Sequence, residues 1–319
     1  MDWADRIGRR IKLRDLHVLM AVADAGSMAK ASARLAVSHP VISKTISDLE
    51  QALGVRLLDR SSQGVELTSY GRALLNCGIN VFDEMRQGLR QIEFLSDPRS
   101  GEVRIGCTEI TMAGLVPAIA EEFSKRHPGI RLEVVLANPA VPQFPDLRER
   151  KVDLLLLRAT GPLMEDDLYA ETLFDEPFAA VAGARSRWAR KHRIALTDIV
   201  DEPWVLPPYD SVPGTLIREI FSTHDLPPPR ARVVTLSGQL TVTLIAGGRF
   251  VGLLPMSVAQ FSADRRGVRI LPLQFPTPRF AVAIITVKKR TLSPFAELFI
   301  ACARESAKLL APRADAHLA

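Results

Sequence analysis

The 319-residue sequence predicts a multidomain protein with a mainly α-helical N-terminal part and a larger α/β C-terminal part. Three patterns support this fold class. Two helices joined by a tight turn occupy residues 27–53, an apolar heptad repeat runs through the helix after residue 67, and apolar strands alternate with helices beyond residue 101. The predicted segments are a helix-turn-helix with a wing at 1–67, a linker helix at 68–95, a hinge at 96–101, an α/β region at 102–311 and a tail at 312–319.

Composition and charge leave the class of partner open. The hydrophobic fraction of 47% and the charged fraction of 24% are those of an ordinary globular protein. The net charge of +5 is compatible with a polyanionic partner. The first 66 residues, however, hold ten Lys and Arg against eight Asp and Glu. Nucleic-acid binding therefore has to be argued from geometry rather than from charge.

Several classes of protein are disfavoured by what the sequence lacks. The cysteines Cys77, Cys107 and Cys302 are far apart, which favours reduced thiols over a disulfide framework or a zinc site. There is no signal-peptide pattern and no long apolar run, so we expect a cytoplasmic protein without a membrane partner. There is also no phosphate loop, nucleophile elbow or metal-ligand spacing. We therefore expect no catalytic residue, no metal and no cofactor.

The second helix of the N-terminal pair has two different faces. Ile42, Ile46, Leu49 and Leu53 recur at helical spacing and predict a buried stripe. The opposite face is small, polar and partly basic, as a helix lying in the major groove of DNA requires. The alternative is a helical hairpin whose polar face is only solvated. The candidate DNA-binding residues are Ser27, Arg34, Ser38, His39, Pro40, Ser43, Lys44 and Ser47.

A β-hairpin is predicted directly after this helix. Residues 55–67 read as an apolar run, a polar tip containing Gly64, and an alternating return strand. A hairpin in this position is typical of a wing, whose basic side chains contact the DNA backbone or the minor groove. Arg60 is the candidate for that contact, and an ordinary solvated arginine is the alternative.

The helix predicted at 68–95 carries apolar residues at heptad spacing. Such a repeat favours pairing with a second copy of the helix, although packing against the chain's own C-terminal domain would produce the same pattern. The candidate dimerisation residues are Leu75, Ile79, Phe82, Met85, Leu89 and Ile92.

The C-terminal region alternates between strands and helices, and the run VDLLLL at 152–157 is typical of a strand covered on both faces. Ligands of such parallel sheets bind beyond the carboxyl ends of the strands. Hydroxyls and free N–H groups there suit a carboxylate or a hydroxyl-rich ligand. Helix capping by Thr111 and Ser237, and an interlobe ion pair of Arg158, are the alternatives. The candidate ligand-binding residues are Thr108, Glu109, Ile110, Thr111, Asn138, Arg158, Thr160, Ser211 and Ser237.

Residues 13–75, from LRDLHVLM to LTSYGRALL, resemble the N-terminal domain of LysR-type transcriptional regulators. The segments GEVRIGCTE, KVDLLLLR, LFDEPFAAVAG and TVTLIAGGRFVGLLP resemble the regulatory domain of the same family. The N-terminal sequence is most similar to that of the branch that includes the galactose-binding-protein regulator. The chain departs from the family pattern at His39, where glutamine is frequent, and at Met28, where phenylalanine is common.

The resemblance implies a two-lobed C-terminal domain like the type II periplasmic binding proteins. One lobe would comprise about 102–161 and 269–311, the other about 162–268, with a small-molecule effector bound between them. It also implies homodimers that pair into homotetramers on promoter DNA and act on RNA polymerase. The sequence therefore predicts an effector-controlled transcriptional regulator. The alternative is a solute-binding module of a transport or sensing system without DNA-directed activity.

Overall fold

The computed structural model describes residues 10–61, 64–137, 144–159, 165–273 and 279–310, with only the backbone of Arg60, Ser61, Ala159, Asp264 and Leu310. The chain divides into two units, Met1–Leu89 and Arg90–Ala319. Within the described ranges, no helix is long and apolar enough to cross a bilayer.

The first unit contains three short helices, a β-hairpin and most of a long helix. The apolar spacing of Leu16, Leu19, Met20 and Ala23 before Gly26 predicts a helix at about 13–25, which is confirmed. The predicted hairpin and long helix are present with ends shifted by a few residues. The elements are α1 (Leu13–Ala25), α2 (Met28–Leu35), α3 (His39–Leu53), β1 (Leu58–Ser61), β2 (Gly64–Leu67) and α4 (Ser69–Ser96).

Left-handed residues separate the three short helices. Gly26 ends α1 with φ 62° and Gly54 ends α3 with φ 73°, as a residue without a Cβ allows. Ala36 ends α2 with φ 53°, a conformation that is less usual for alanine. The residue type and position of Ser27 and Ser38 predict that they cap α2 and α3, but their side chains make no capping bond to these helices. Their hydroxyls thus remain available to other partners.

The second unit contains two five-stranded sheets, and each is the centre of one lobe. The strand order is β4-β3-β5-β12-β6 in the first sheet and β11-β7-β10-β8-β9 in the second. Strands β3 (Gly101–Cys107), β4 (Ile130–Leu136) and β5 (Leu154–Ala159) run parallel, and β6 (Leu168–Glu176) and β12 (Phe280–Val287) complete the first sheet. The second consists of β7 (Phe178–Gly183), β8 (Trp204–Leu206), β9 (Ala231–Val234), β10 (Val251–Pro255) and β11 (Val268–Ile270).

Helices cover both sheets. The sequence predicts a helix from about 112 to 126. The structure begins α6 three residues later and places the short α5 before it, and α11, which follows β10 directly, was not predicted. The helices are α5 (Glu109–Met112), α6 (Leu115–Arg126), α7 (Pro145–Arg148), α8 (Leu196–Ile199), α9 (Val212–Ser222), α10 (Gly238–Ala246), α11 (Met256–Arg265) and α12 (Pro294–Leu310), with a 3₁₀ turn at Arg187–Arg190.

The first predicted passage between the lobes, at about 162, lies too early, and the predicted return, at about 269, is early by a few residues. Strand β6 pairs antiparallel with β12, so the chain leaves the first lobe at Pro177. Strand β11 pairs antiparallel with β7, so the chain returns only after Ile270. The reason is that β6 and β11 are antiparallel edge strands. No βαβ connection marks the sheet to which such a strand belongs.

Candidate functional site

The two faces of α3 differ in burial. Ile42 and Ile46 are completely buried in the core of the first unit, and Leu49 is 1% exposed. His39, Pro40, Lys44 and Ser47 are exposed, and Ser43 is half-buried. The buried stripe fixes the rotation of the helix about its axis, so the polar side chains share the outer face. This outer face is the candidate DNA-reading surface.

The starts of α2 and α3 present further donors. Ser38 is exposed and Ser27 is half-buried, and neither hydroxyl is used in capping. First-turn N–H groups have no helical acceptor, so a phosphate oxygen can accept from them and from the hydroxyls. Arg34 binds Asp24 through Nη1 and Oδ2 at 3.3 Å, with both side chains mostly exposed. Such a pair contributes about 0–1 kcal/mol, so a phosphate can compete with Asp24 for the guanidinium.

The hairpin is fixed to the helices at both of its ends. Glu50 of α3 accepts hydrogen bonds through Oε1 from the N–H groups of Leu57 and Leu58, at 2.8 and 3.2 Å. The Val65 N–H donates to the Gly26 carbonyl at 3.1 Å. Arg60 pairs with Val65 across the hairpin, and its side chain lies outside the described part of the chain. The hairpin thus has a set orientation relative to α3, as a wing requires.

The heptad face of α4 changes in exposure along its length. Leu75, Ile79 and Phe82 are partly buried, and the Phe82 ring lies 5.8 Å from the ring of His17 on α1. Toward the end of the helix, Met85, Leu89 and Ile92 are 47%, 60% and 61% exposed. The first half of the repeat therefore packs partly within its own unit, while the second half leaves large apolar side chains at the surface.

In the second unit, one side chain of the first lobe caps a helix of the second. The Glu109 carboxylate accepts from the Ser237 hydroxyl at 3.0 Å, from the Gln239 N–H at 3.3 Å and from the Gly238 N–H. The Ser237 hydroxyl also accepts from the Leu240 N–H at 3.2 Å. Ser237 therefore caps α10, which was the alternative considered for it, and it bonds across the lobes at the same time.

The threonines that follow β3 are turned inward. Thr111 is completely buried, and its hydroxyl lies 2.7 Å from that of Thr108. Nη1 of Arg158 donates to the Thr111 hydroxyl at 3.3 Å. Three of the predicted ligand-binding residues therefore meet in space, but in this conformation they bond to one another.

Arg158 also forms an ion pair, although within the first lobe and not between the lobes as the alternative for it expected. Its Nε donates to Glu176 Oε2 at 2.7 Å, and its Nη2 donates to the Ser257 hydroxyl at 3.3 Å. The Ser257 N–H donates to Glu176 Oε1 at 2.6 Å. Glu176 ends the last strand before the crossing at Pro177, and Ser257 lies in the second lobe. We call Arg158, Glu176 and Ser257 the hinge network.

The other predicted ligand-binding residues lie elsewhere or beyond the described ranges. Ser211 caps α9, where it accepts from the Gly214 N–H at 3.3 Å and donates to the Pro208 carbonyl. Ile110 is partly buried and packs with the core cluster of the second lobe. Asn138 and Thr160 lie outside the described residues.

Sequence reasoning missed Glu176 and Ser257. Glu176 is the last residue of β6 and Ser257 lies two residues after β10, so both stand at the carboxyl ends of strands, which was the criterion applied elsewhere. Ser257 was passed over because α11 was not predicted, and Glu176 because β6 was not recognised as a strand. Across the described ranges, no group of three His, Cys, Asp or Glu side chains could hold a metal ion.

Two family models match the chain. Residues 13–72 match the bacterial regulatory helix-turn-helix proteins of the lysR family. Residues 96–308 match the LysR substrate-binding domain. Because the first match includes α1 to β2, it does not support the alternative of a solute-binding module without DNA-directed activity.

Curated relatives are similar over nearly their whole length. The uncharacterised HTH-type transcriptional regulator YdcI of Escherichia coli K12 is 25% identical over 93% of this chain and 96% of its own. GbpR of Azospirillum brasilense is 25% identical over 92% of this chain and 86% of its own. GltC of Bacillus subtilis, a transcriptional dual regulator, is 28% identical over 91% and 95%. GbpR is no more similar than the others, so these identities do not select its branch.

Solved structures share the fold. A full-length OxyR variant from Pseudomonas aeruginosa, in which one cysteine is replaced by aspartate, superposes with a TM-score of 0.61 at 22% identity, over 94% of this chain and 96% of its own. Full-length CbnR in complex with its target DNA superposes with a TM-score of 0.53 at 21% sequence identity, over 93% of this chain and 100% of its own.

The family models, the curated relatives and the solved structures all indicate the same kind of protein as the helices, hairpin and two sheets described above. The chain belongs to the LysR family: it is a DNA-binding transcriptional regulator with a C-terminal effector-binding domain, and not an enzyme.

Proposed function

We propose that this chain reads promoter DNA with the outer face of α3 and responds to a small polar metabolite, a carboxylate or a sugar derivative, bound between its two lobes. The observation that carries the proposal is the distribution of side chains around α3. Ile42, Ile46 and Leu49 of its apolar stripe are buried, while compact polar groups, one lysine and Val41 face solvent. A helix with this outer face fits the major groove, which is about 12 Å wide.

The residues on this face divide into two roles. His39 lies at the start of α3, where recognition helices contact base edges. Lys44 and Ser47 lie farther along the helix and can bond to phosphate or to bases. Ser27, Ser38 and Arg34 would bind the backbone, since first-turn donors and guanidinium groups suit phosphate oxygens.

Pairing through the exposed end of the α4 heptad face would supply two such readers. Met85, Leu89 and Ile92 are each about half exposed or more, an unfavourable state for side chains of this size on one helix face. A dimer would place its readers on half-sites about one helical turn, roughly 34–36 Å, apart or a multiple of it. Pairing into tetramers and action on RNA polymerase complete the proposal.

The effector site is assigned to the interlobe cluster that contains Thr108, Glu109 and Ser237. These residues lie beyond the strand ends of both lobes, where sheets of this kind bind ligands. A ligand that prefers one arrangement of the lobes shifts their equilibrium by its difference in affinity for the two arrangements. Transmitted through α4, that shift would change the spacing or the bend of the bound DNA.

A mobility-shift titration of the full chain on its own upstream DNA tests the DNA assignment. If Lys44 contacts phosphate, Lys44→Ala should weaken binding to all sequences and lower the slope of log affinity against log salt by about one. If Lys44 reads a base, the loss should be confined to one operator position. Lys125→Ala, an exposed lysine of the second unit, is the control. Folded wild-type protein that binds no promoter fragment would contradict the proposal.

The effector assignment is tested by thermal unfolding of the full chain with a panel of carboxylates, sugar acids and sugars. A compound that binds the native state raises its apparent stability. Thr108→Ala or Ser237→Ala should remove that shift while leaving the DNA affinity measured above intact. Retention of the shift in both variants would place the ligand elsewhere.

A further inference from the structure

Glu109 joins the two lobes at the ends of their sheets, through a contact separate from those of the hinge network. We propose that Glu109 is a latch that holds the lobes closed in the ligand-free chain, and that its release lets the lobes swing about the hinge network. The proposal rests on the proposed function only in assigning the release to an effector.

The first argument is the completeness of the bonding by Glu109. The Gly238 and Gln239 N–H groups begin α10, so they have no acceptor within the helix. Glu109 accepts from both and from the Ser237 hydroxyl, although about 130 residues separate the partners along the chain. Bonds to an ionised carboxylate are stronger than neutral bonds, and a negative charge at a helix start is further favoured by the helix dipole.

The second argument is the close approach that this contact requires. A Cβ at Gly238 would lie 2.9 Å from Ile110 Cδ1 and 3.2 Å from Ala113 Cβ, both on the first lobe. A side chain at position 238 would therefore require Ile110 and its neighbours to shift, so glycine favours this close approach of the lobes. The absence of a side chain at Gly238 thus favours the approach at which the Glu109 carboxylate reaches the start of α10.

The third argument is the contrast with the hinge network. The Glu176 side chain is 1% exposed and that of Arg158 is 11% exposed, and their pair lies next to the crossing at Pro177. The network joins the lobes through Ser257, whose N–H donates to Glu176 Oε1 and whose hydroxyl accepts from Arg158. Breaking these bonds would leave buried charged groups without a partner, which is costly. Glu109 and Ser237 are only partly buried, and water can replace their bonds more readily. When the lobes open, the latch is therefore the contact that breaks, and the hinge network is the contact that stays.

Ligand access follows from the same geometry. The Ser237 hydroxyl is directed at Glu109, and the Thr111 hydroxyl is completely buried. A ligand that accepts a hydrogen bond from the Ser237 hydroxyl has to displace Glu109 from it, because the hydroxyl has one hydrogen to donate. The latch thus sets how readily the site opens, and the identity of residue 109 becomes a determinant of effector sensitivity.

Hydrogen–deuterium exchange of the full chain tests the latch without ligand or DNA. Glu109→Gln keeps the size of the side chain but removes its charge, and Glu109→Ala removes the acceptor. We expect exchange at Gly238 and Gln239 to accelerate on the order of tenfold in the Ala variant, and less in the Gln variant. The control is Glu121→Gln, which removes an exposed interlobe pair between Glu121 and Arg265.

The control separates a latch from general loosening of the lobes. Unchanged exchange in Glu109→Ala, or equal acceleration in Glu121→Gln, would overturn the proposal. A second readout is the distance between spin labels at Ser124→Cys and Arg218→Cys, one on each lobe, in a Cys77→Ser background. We expect the distance distribution to gain a longer component in Glu109→Gln, and an unchanged distribution would also contradict the latch. Neither readout depends on DNA binding, so failure of the latch is distinguishable from failure of the proposed function.

Discussion

Arg158 and Glu176 form a buried ion pair, with Nε and Oε2 2.7 Å apart, at the point where the chain first passes from one lobe to the other. Every oxygen of the Glu176 carboxylate is engaged, since Oε1 accepts from the Ser257 N–H. The remaining donors of Arg158 reach Thr111 and Ser257. Removing Glu176 would leave the Arg158 guanidinium buried without a counter-charge, which is costly.

The first prediction concerns the stability of the second unit. Glu176→Ala should lower its free energy of unfolding by about 3–5 kcal/mol, because the Arg158 guanidinium is then buried without a counter-charge. The double variant Arg158→Met, Glu176→Gln should lose less, since no charge stays buried. Denaturant unfolding followed by tryptophan fluorescence measures both, because Trp204 is completely buried in the second lobe.

Glu171 on the same strand provides a matched control. It binds Arg304 at the surface, where the guanidinium hydrogen bond lowers the pKa of the carboxyl group. Glu171→Ala should cost less than about 1 kcal/mol, the usual contribution of such a pair. Equal losses for Glu171→Ala and Glu176→Ala would show that burial of the Arg158 pair has no special weight.

The second prediction concerns the cysteines. Burial raises the pKa of the Cys107 thiol to about 12 and also raises that of Cys302, whereas Cys77 is exposed on α4. Because the thiolate is the reactive form, native protein at pH 8.5 should react with iodoacetamide at Cys77 alone. The raised pKa means that Cys107 stabilises the fold below its ordinary pKa of about 9, and this contribution is lost as the pH rises toward 12.

Mass spectrometry of tryptic peptides measures the labelling. Cys107 and Cys302 should react only after denaturation, and the Cys77→Ser variant should take up no label in the native state. Rapid native labelling of Cys107 would mean that β3 opens far more often than its complete burial indicates.

The sequence predicted features that depend on residues close together along the chain, and it missed features that depend on residues far apart along the chain. The stripe of Ile42 and Ile46 was predictable because helical periodicity is local. The approach of Glu109 to Ser237 was not, because the strand-end rule gives positions within each lobe but no partners across them. Edge strands such as β6 carry no local sign of the sheet that they join.

The two serines at the helix starts show a second limit of prediction from sequence. Ser27 and Ser38 have the residue type and position of caps, yet their side chains accept no bond from the helices that they precede. Residue type fixes what a hydroxyl can do, whereas its rotamer decides what it does. For a surface that binds DNA, the uncapped rotamer leaves a donor at the helix start.

The third prediction concerns His39, which is exposed at the start of α3. If it reads a base edge, His39→Gln should change the preferred base at one position of the operator by about 1–3 kcal/mol, with little change in the slope of log affinity against log salt. Binding-site selection from randomised DNA with both proteins measures this. His39→Ala should lose preference at that position without gaining another, and identical selected sites for all three proteins would remove His39 from base recognition.

The last prediction concerns the exposed apolar end of α4. Leu89 is 60% exposed, so Leu89→Glu should leave the first unit folded but place a charge where two α4 helices would meet. Burying an unpaired carboxylate in a dimer seam is unfavourable enough to favour the monomer at micromolar concentration. Gln91→Glu makes a similar change about 200° around the same helix, at an exposed position off the seam. Sedimentation velocity should show a smaller species for Leu89→Glu alone, with weaker DNA binding, since one reader would then hold one half-site. If both variants keep the sedimentation coefficient of the wild type, the subunits associate through another surface.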